Sequence, residues 1–156
     1  ALDGRIAAIL DGGPTGVGVE STIVALTAEP TLLRAGGLPA EAIEDCLGAP
    51  LHRPQAAGSA PTAPGQLASH YAPRAALRLN ARQAEPGETL IGFGAIPGDV
   101  TLSAAGDLTE AAANLFRVLH QLDAAGTPRL AVAPIPAHGL GLAINDRLAR
   151  AAAPRP

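Results

Sequence analysis

The sequence predicts an α/β fold: a Rossmann-like parallel sheet with flanking helices in the C-terminal half, preceded by a thin unit of strands and one helix. Three observations predict it. From residue 76 onward, short runs rich in Leu, Ile and Val alternate with helical patterns, as in a parallel sheet with crossover helices. One helix is written with both its start signal and its apolar stripe. A stretch from Pro50 to about residue 75, poor in large apolar side chains and carrying Pro50, Pro54, Pro61, Pro64 and Pro73, separates the two halves as an extended linker.

In the first half, Ile6 to Leu10 is an apolar run closed by Asp11-Gly12-Gly13-Pro14, which predicts a strand and a turn. Gly18 to Leu26, rich in Val, Ile and Thr, predicts a second strand, and Thr31 to Arg34 a short third. Pro39 opens a helix that runs to about Leu47 and stops at Gly48. About 48 residues rarely make a stable unit without staples, so this half reads as the end of a domain whose beginning is missing. In the second half, Leu77–Leu79, Thr89–Phe93 and Val100–Leu102 predict strands. Asp107 and Glu110 stand in capping-box spacing, Leu115, Val118, Leu119 and Leu122 repeat with helical period, and Gly126 ends a helix over Asp107 to about Ala125. Leu130–Ile135 predicts a buried strand, and Leu142 to about Ala152 a final helix.

Composition narrows the chemistry. The net charge is −3, which argues against a strongly basic nucleic-acid binder. All 11 basic residues are Arg, so no lysine of this chain serves a P-loop or a Schiff base. The single cysteine, Cys46, excludes an intrachain disulfide and a Cys-based zinc site. No apolar run approaches a membrane span and the start lacks a signal peptide's features, so a cytoplasmic protein is expected. The absence of an initiator Met suggests a piece of something longer.

Several segments invite a functional reading beside a plain one. Asp11 to Gly18 is either a simple loop or a Gly-rich cradle for an anion. In Glu20-Ser21-Thr22, strand alternation puts Ser21 on one face and its neighbours on the other; the Ser21 hydroxyl binds either a polar ligand or local backbone. No His or Asp spacing makes Ser21 a nucleophile, so no catalytic residue and no metal ligand is assigned. Arg34, at a strand end before Gly36-Gly37, suits a phosphate or carboxylate, or else pairs with a surface acid. His70 and Tyr71, the latter the chain's only Tyr, stand in the Pro-rich linker, where aromatics are unusual; they either anchor the linker or dock on a ligand. Gly92-Phe93-Gly94 closes a strand as a turn or a ligand contact, and His138-Gly139-Leu140-Gly141 opens the last helix as an entry loop or an anion site. Asn145-Asp146-Arg147 reads as helix surface or interdomain contact.

Taken in order, Leu10-Asp11-Gly12-Gly13, Gly18-Val19-Glu20-Ser21-Thr22-Ile23-Val24, Leu32-Leu33-Arg34-Ala35-Gly36-Gly37, Ala63-Pro64-Gly65 through His70-Tyr71-Ala72-Pro73, and Gly139 through Leu148 resemble the two-domain threonylcarbamoyl-AMP synthases. Those proteins join a YrdC-like catalytic domain to a Rossmann-like domain through a His-Tyr-Ala-Pro linker. The resemblance implies that residues 1–49 end an incomplete YrdC-like domain, 50–75 are the linker and 76–156 are the C-terminal domain. It implies synthesis of threonylcarbamoyl-AMP and pyrophosphate from L-threonine, bicarbonate and ATP, with Mg²⁺ accompanying the nucleotide. The product feeds a downstream transferase that modifies adenosine 37 of tRNA; direct tRNA contact by this chain is left open. By the same resemblance Ser21 matches a threonine-binding position, and Arg34 and Tyr71 match ATP-binding ones, with His70 in support. Gln66, Leu67, Ala68 and Ser69 stand where the family's linker commonly carries basic residues. The upstream Lys, Arg and Ser-x-Asn motifs are absent, so the chain alone is expected to be inactive without the missing N-terminal part. The competing expectation is a non-enzymatic α/β module for ligand binding or assembly.

Overall fold

The structure, a computed structural model, describes residues 4–10, 12–13, 15–53, 64 and 73–154. Among these the order is β1 (Ile23–Ala25), β2 (Thr31–Arg34), α1 (Ala40–Leu47), β3 (Ala76–Arg78), β4 (Thr89–Gly92), β5 (Val100–Thr101), α2 (Leu108–Ala124), β6 (Arg129–Val132) and α3 (Leu140–Ala152).

In the first half, β1 and β2 pair antiparallel, with Ile23 opposite Arg34 and Ala25 opposite Thr31. The chain leaving α1 returns to β2: Leu32 donates its amide to the His52 carbonyl at 2.9 Å, and His52 to that of Pro30 at 2.8 Å. Gly48 ends α1 in the left-handed conformation, φ 65°, as its place after Leu47 predicts. Two expectations fail here. Ile6–Leu10 is not a strand, and Leu10 is 99% exposed, because no neighbouring strand among the described residues offers it a ladder. The strand expected over Gly18–Leu26 shrinks to Ile23–Ala25, because residues 18–22 are held by other contacts described below.

The second half is a four-stranded parallel sheet in the order β3-β6-β4-β5. Leu90 sits opposite Ala131, and Ala131 opposite Arg78, so these three share one face. The opposite face carries Ile91, Leu130 and Val132, which form one core with Leu115, Leu119 of α2 and Ile144 of α3. Both helices therefore cover the same side. Each fully buried Leu or Ile there contributes about 1.5–3 kcal/mol. The stripe Leu115, Val118, Leu119, Leu122 is buried along its whole length, as its period predicts. The cap of α2 is a variation on the expected box. Asp107 Oδ1 accepts from the amides of Thr109 and Glu110, but Glu110 turns to the Ser103 hydroxyl, which in turn accepts the Asp107 amide. The last helix starts at Leu140, two residues before its expected start, and β6 ends at Val132 rather than Ile135, since Pro134 and Pro136 stop the ladder.

The face away from the helices is closed by charge. Arg78 donates Nε to Glu88 Oε1 at 3.0 Å and Nη2 to Oε2 at 2.6 Å, and Arg129 and the Glu85 amide approach the same carboxylate. The Glu88 side chain is 2% exposed, so it keeps its charge only because these donors replace water. The hydrogen bonds from Arg78 hold its pKa down, from 4.5 to about 2. The sign follows: stability from this carboxylate is complete above the unfolded value and is lost as pH falls from about 4.5 toward 2. In urea unfolding, the gap between the parent chain and Glu88→Gln should therefore be widest above pH 5 and close toward pH 2. A gap independent of pH contradicts this account.

Candidate functional site

The first half places Ser21 and Arg34 together. β2 ends at Arg34, whose Cα lies opposite Ile23 in the ladder, so its side chain reaches back over the segment that enters β1. Arg34 Nε and Nη2 donate to the Ser21 carbonyl at 3.2 and 2.9 Å, and Nη2 lies 3.4 Å from the Ser21 hydroxyl. Nη1 donates to the Pro64 carbonyl at 3.0 Å, so a residue of the Pro-rich stretch comes back to this spot. Among the described residues no carboxylate pairs with Arg34; the surface-acid alternative has no counterpart there. A guanidinium held by carbonyls keeps its full charge for an anion. His70 and Tyr71 lie outside the described residues.

The backbone around these two side chains is zipped tight. Gly37 donates to the Glu20 carbonyl at 2.8 Å. The Thr22 hydroxyl donates to the Leu38 carbonyl at 2.5 Å and accepts the Leu38 amide at 3.2 Å. A Cβ on Gly36 would collide with the backbone of Glu20, Ser21 and Thr22, so only glycine lets the two segments approach this closely. This is why Gly-Gly follows Arg34. These residues lie outside β1, so strand alternation does not order them; even so, Glu20 and Thr22 bond within the fold and Ser21 is exposed beside Arg34.

The second half grips the same segments. Arg147, on α3 and 1% exposed, donates Nε to Glu20 Oε2 at 3.0 Å and Nη2 to the Ala35 carbonyl at 3.1 Å. Nη1 donates to Asp146 Oδ2 at 2.5 Å, and Arg150 holds the other side of that carboxylate. The guanidinium is buried while the Glu20 and Asp146 carboxylates are about a third exposed, so solvent screens part of each pair. Of the two readings open for Asn145-Asp146-Arg147, Arg147 does not lie on the helix surface: it is buried against Glu20 and Ala35 of the first half. The signal was a lone Arg inside an otherwise apolar stripe with Ala143, Ile144, Leu148 and Ala151.

Two other junction contacts decide earlier alternatives. The α3 N-terminus does hold an anion, but it is the Glu41 carboxylate, whose Oε1 accepts the Gly139 amide at 3.0 Å. That bond, first among the causes, lowers the Glu41 pKa. Gly18, at φ 66°, lies against α2, where a Cβ would come within 2.5 Å of the Ala112 carbonyl, so this glycine serves packing between the halves. Gly92-Phe93-Gly94 is a turn: Phe93 enters the core and exchanges amide bonds with Ile96. Among the described residues no group of three His, Cys, Asp or Glu side chains is placed to hold a metal ion. No helix among them is long and apolar enough to cross a membrane.

The chain is similar to known proteins over nearly its whole length. The family model for the threonylcarbamoyl-AMP synthase C-terminal domain matches residues 38–153. The chain is 36% identical over 169 residues to a threonylcarbamoyl-AMP synthase of Pyrococcus abyssi, covering 95% of this chain and 50% of that protein. It is 34% identical over 177 residues to one of Bacillus subtilis, covering 99% and 51%. The crystal structure of P. abyssi Sua5 complexed with L-threonine superposes with TM-score 0.81 at 32% identity, over 97% of this chain and 51% of that one. A P. abyssi Sua5 structure with adjacent His and Tyr both changed to Ala gives 0.74 at 31% identity, over 91% and 47%. The chain spans about half the length of the curated relatives it matches. The chain belongs to the threonylcarbamoyl-AMP synthase family.

Proposed function

We propose that this chain is the closing half of an L-threonylcarbamoyladenylate synthase. The reaction joins the threonine amine to the bicarbonate carbon, with loss of water, and joins the resulting carbamate oxygen to the α-phosphorus of ATP, with loss of pyrophosphate. The observation that carries this reading is the pair Ser21–Arg34: a cation free of carboxylate partners among the described residues, bonded beside an exposed hydroxyl, in a chain of this family. In this reading Ser21 contacts L-threonine, and Arg34 binds a phosphate of ATP, where charge-assisted bonds are strongest. His70 and Tyr71 close over the nucleotide from the linker. The Arg34–Pro64 bond, which brings the linker to Arg34, supports that placement. So does the His and Tyr double change in the P. abyssi structure, since His70-Tyr71 is this chain's one adjacent His-Tyr pair.

The chemistry rests on orientation and charge, with no nucleophile supplied by these residues. The described side chains offer no ligand set for Mg²⁺, which would travel with the triphosphate, so no step is assigned to it. Ile9 and Leu26 are 63% and 80% exposed, and among the described residues all the exposed large apolar side chains lie within residues 6–47. Such a concentration on a thin unit fits a face covered by the N-terminal part of the catalytic domain. The cytoplasm, where ATP, threonine and tRNA meet, is the compartment this reading implies. The product would pass to a transferase acting on tRNA.

The test is pyrophosphate release from ATP, with and without threonine and bicarbonate, by this chain and by its full reading frame. The full frame should be active only with all three substrates, and this chain alone inactive. In the full frame, Arg34→Ala should lower kcat/KM for ATP roughly 10- to 100-fold, the worth of a charged hydrogen bond. Tyr71→Phe should lower it about tenfold or less, the worth of a neutral one. Threonine-independent release, or no release by the full frame, would overturn the assignment and favour a ligand-binding or assembly module.

A further inference from the structure

We propose that Arg147 of the C-terminal half is a positioning residue for the substrate site of the first half. The inference rests on the functional reading above, and adds to it a role for α3 in setting the distance between the threonine-contacting and ATP-contacting residues. Arg147 grips the residue immediately before Ser21, through the Glu20 carboxylate, and the residue immediately after Arg34, through the Ala35 carbonyl. One guanidinium thus spans both strands of the site at the point where each delivers its functional side chain. The planar fork makes this possible: Nε and Nη2 meet Glu20 Oε2 at 3.0 and 2.9 Å, Nη2 also reaches Ala35, and Nη1 is fixed by Asp146. A lysine ammonium carries the same charge but cannot present this fixed spread of donors.

Burial makes the constraint stiff. At 1% exposure Arg147 is shut off from water, so no solvent molecule readily replaces the Glu20 carboxylate or the Ala35 carbonyl if either drifts from it. Gly37, Gly36 and Thr22 zip the two segments to each other, while Gly18 and Val19 pack one of them on the second half; Arg147 is the side chain that ties both segments to it at once. The helix and the parallel sheet behind it supply the rigid body. Displacements of an ångström or so at a substrate site cost up to about 100-fold in rate, so a remote clamp of this kind carries catalytic weight.

Pure cementing of the junction is distinguishable, because Glu41–Gly139 is a second polar tie between the same two halves that touches neither segment of the site. The experiment uses the full reading frame and compares Arg147→Lys, Glu20→Gln and Glu41→Gln for thermal stability and for kcat and KM toward threonine and ATP. Positioning predicts that Arg147→Lys and Glu20→Gln raise KM for both substrates roughly tenfold or more while still folded. Glu41→Gln should lower the melting temperature and leave both KM values in place. Glu20→Gln keeps the shape and an acceptor, so it reports even if Arg147→Lys does not fold. If the variants at Glu20 and Arg147 change melting temperature alone, as Glu41→Gln does, the clamp is structural and the proposal falls while the synthase assignment stands. If the parent full frame releases no threonine-dependent pyrophosphate, the assignment fails, and the positioning role with it.

Discussion

The structure turns on one buried guanidinium. Arg147 lies 1% exposed in α3 and donates to Asp146, its own neighbour in sequence. It also bonds Glu20 and the Ala35 carbonyl, on residues more than a hundred positions away. A guanidinium without them would face a desolvation cost of several kcal/mol. The contact therefore ties the C-terminal sheet and helices to the first-half segments. Docking also covers Gly18 against α2 and places Glu41 on the α3 N-terminus, where an aligned backbone dipole favours a carboxylate.

This arrangement explains how a thin unit keeps a precise site. Two strands of three and four residues and one helix of eight have almost no core of their own; in that unit, α1 buries only Ala40. In the functional reading proposed above, Ser21 and Arg34 serve two substrates and need fixed relative positions. In that reading the parallel sheet, through α3, lends its rigidity to the site at Glu20 and Ala35. The glycines after Arg34 belong to the same economy of space, since any side chain at Gly36 would force the two segments apart.

Local signals in the sequence were legible where the structure is locally determined. The stripe Leu115, Val118, Leu119, Leu122, the Asp107 cap and the left-handed Gly48 all stand where periodicity and capping chemistry put them. The parallel sheet followed from the alternation of runs, though not its order, because β6 inserts between β3 and β4 through pairings that no local pattern encodes. Ile6–Leu10 carried a strand's composition without a strand's partner, so composition misled. Ser21 and Arg34 were picked out by residue type and resemblance, but their contact through the Ser21 carbonyl was not visible in one dimension. Arg147 shows the limit most clearly. A charged residue within an apolar helical stripe signals a buried partner, yet nothing in the spacing names Glu20, 127 residues earlier.

The most direct test of this account is a double-mutant cycle on the unfolding free energy of this chain, using Glu20→Gln, Arg147→Gln and both together. The account predicts a coupling above about 1 kcal/mol, as for residues sharing one buried network. Additive losses, within about 0.5 kcal/mol, would show that the two side chains do not act on each other, and the clamp that joins the halves would be refuted.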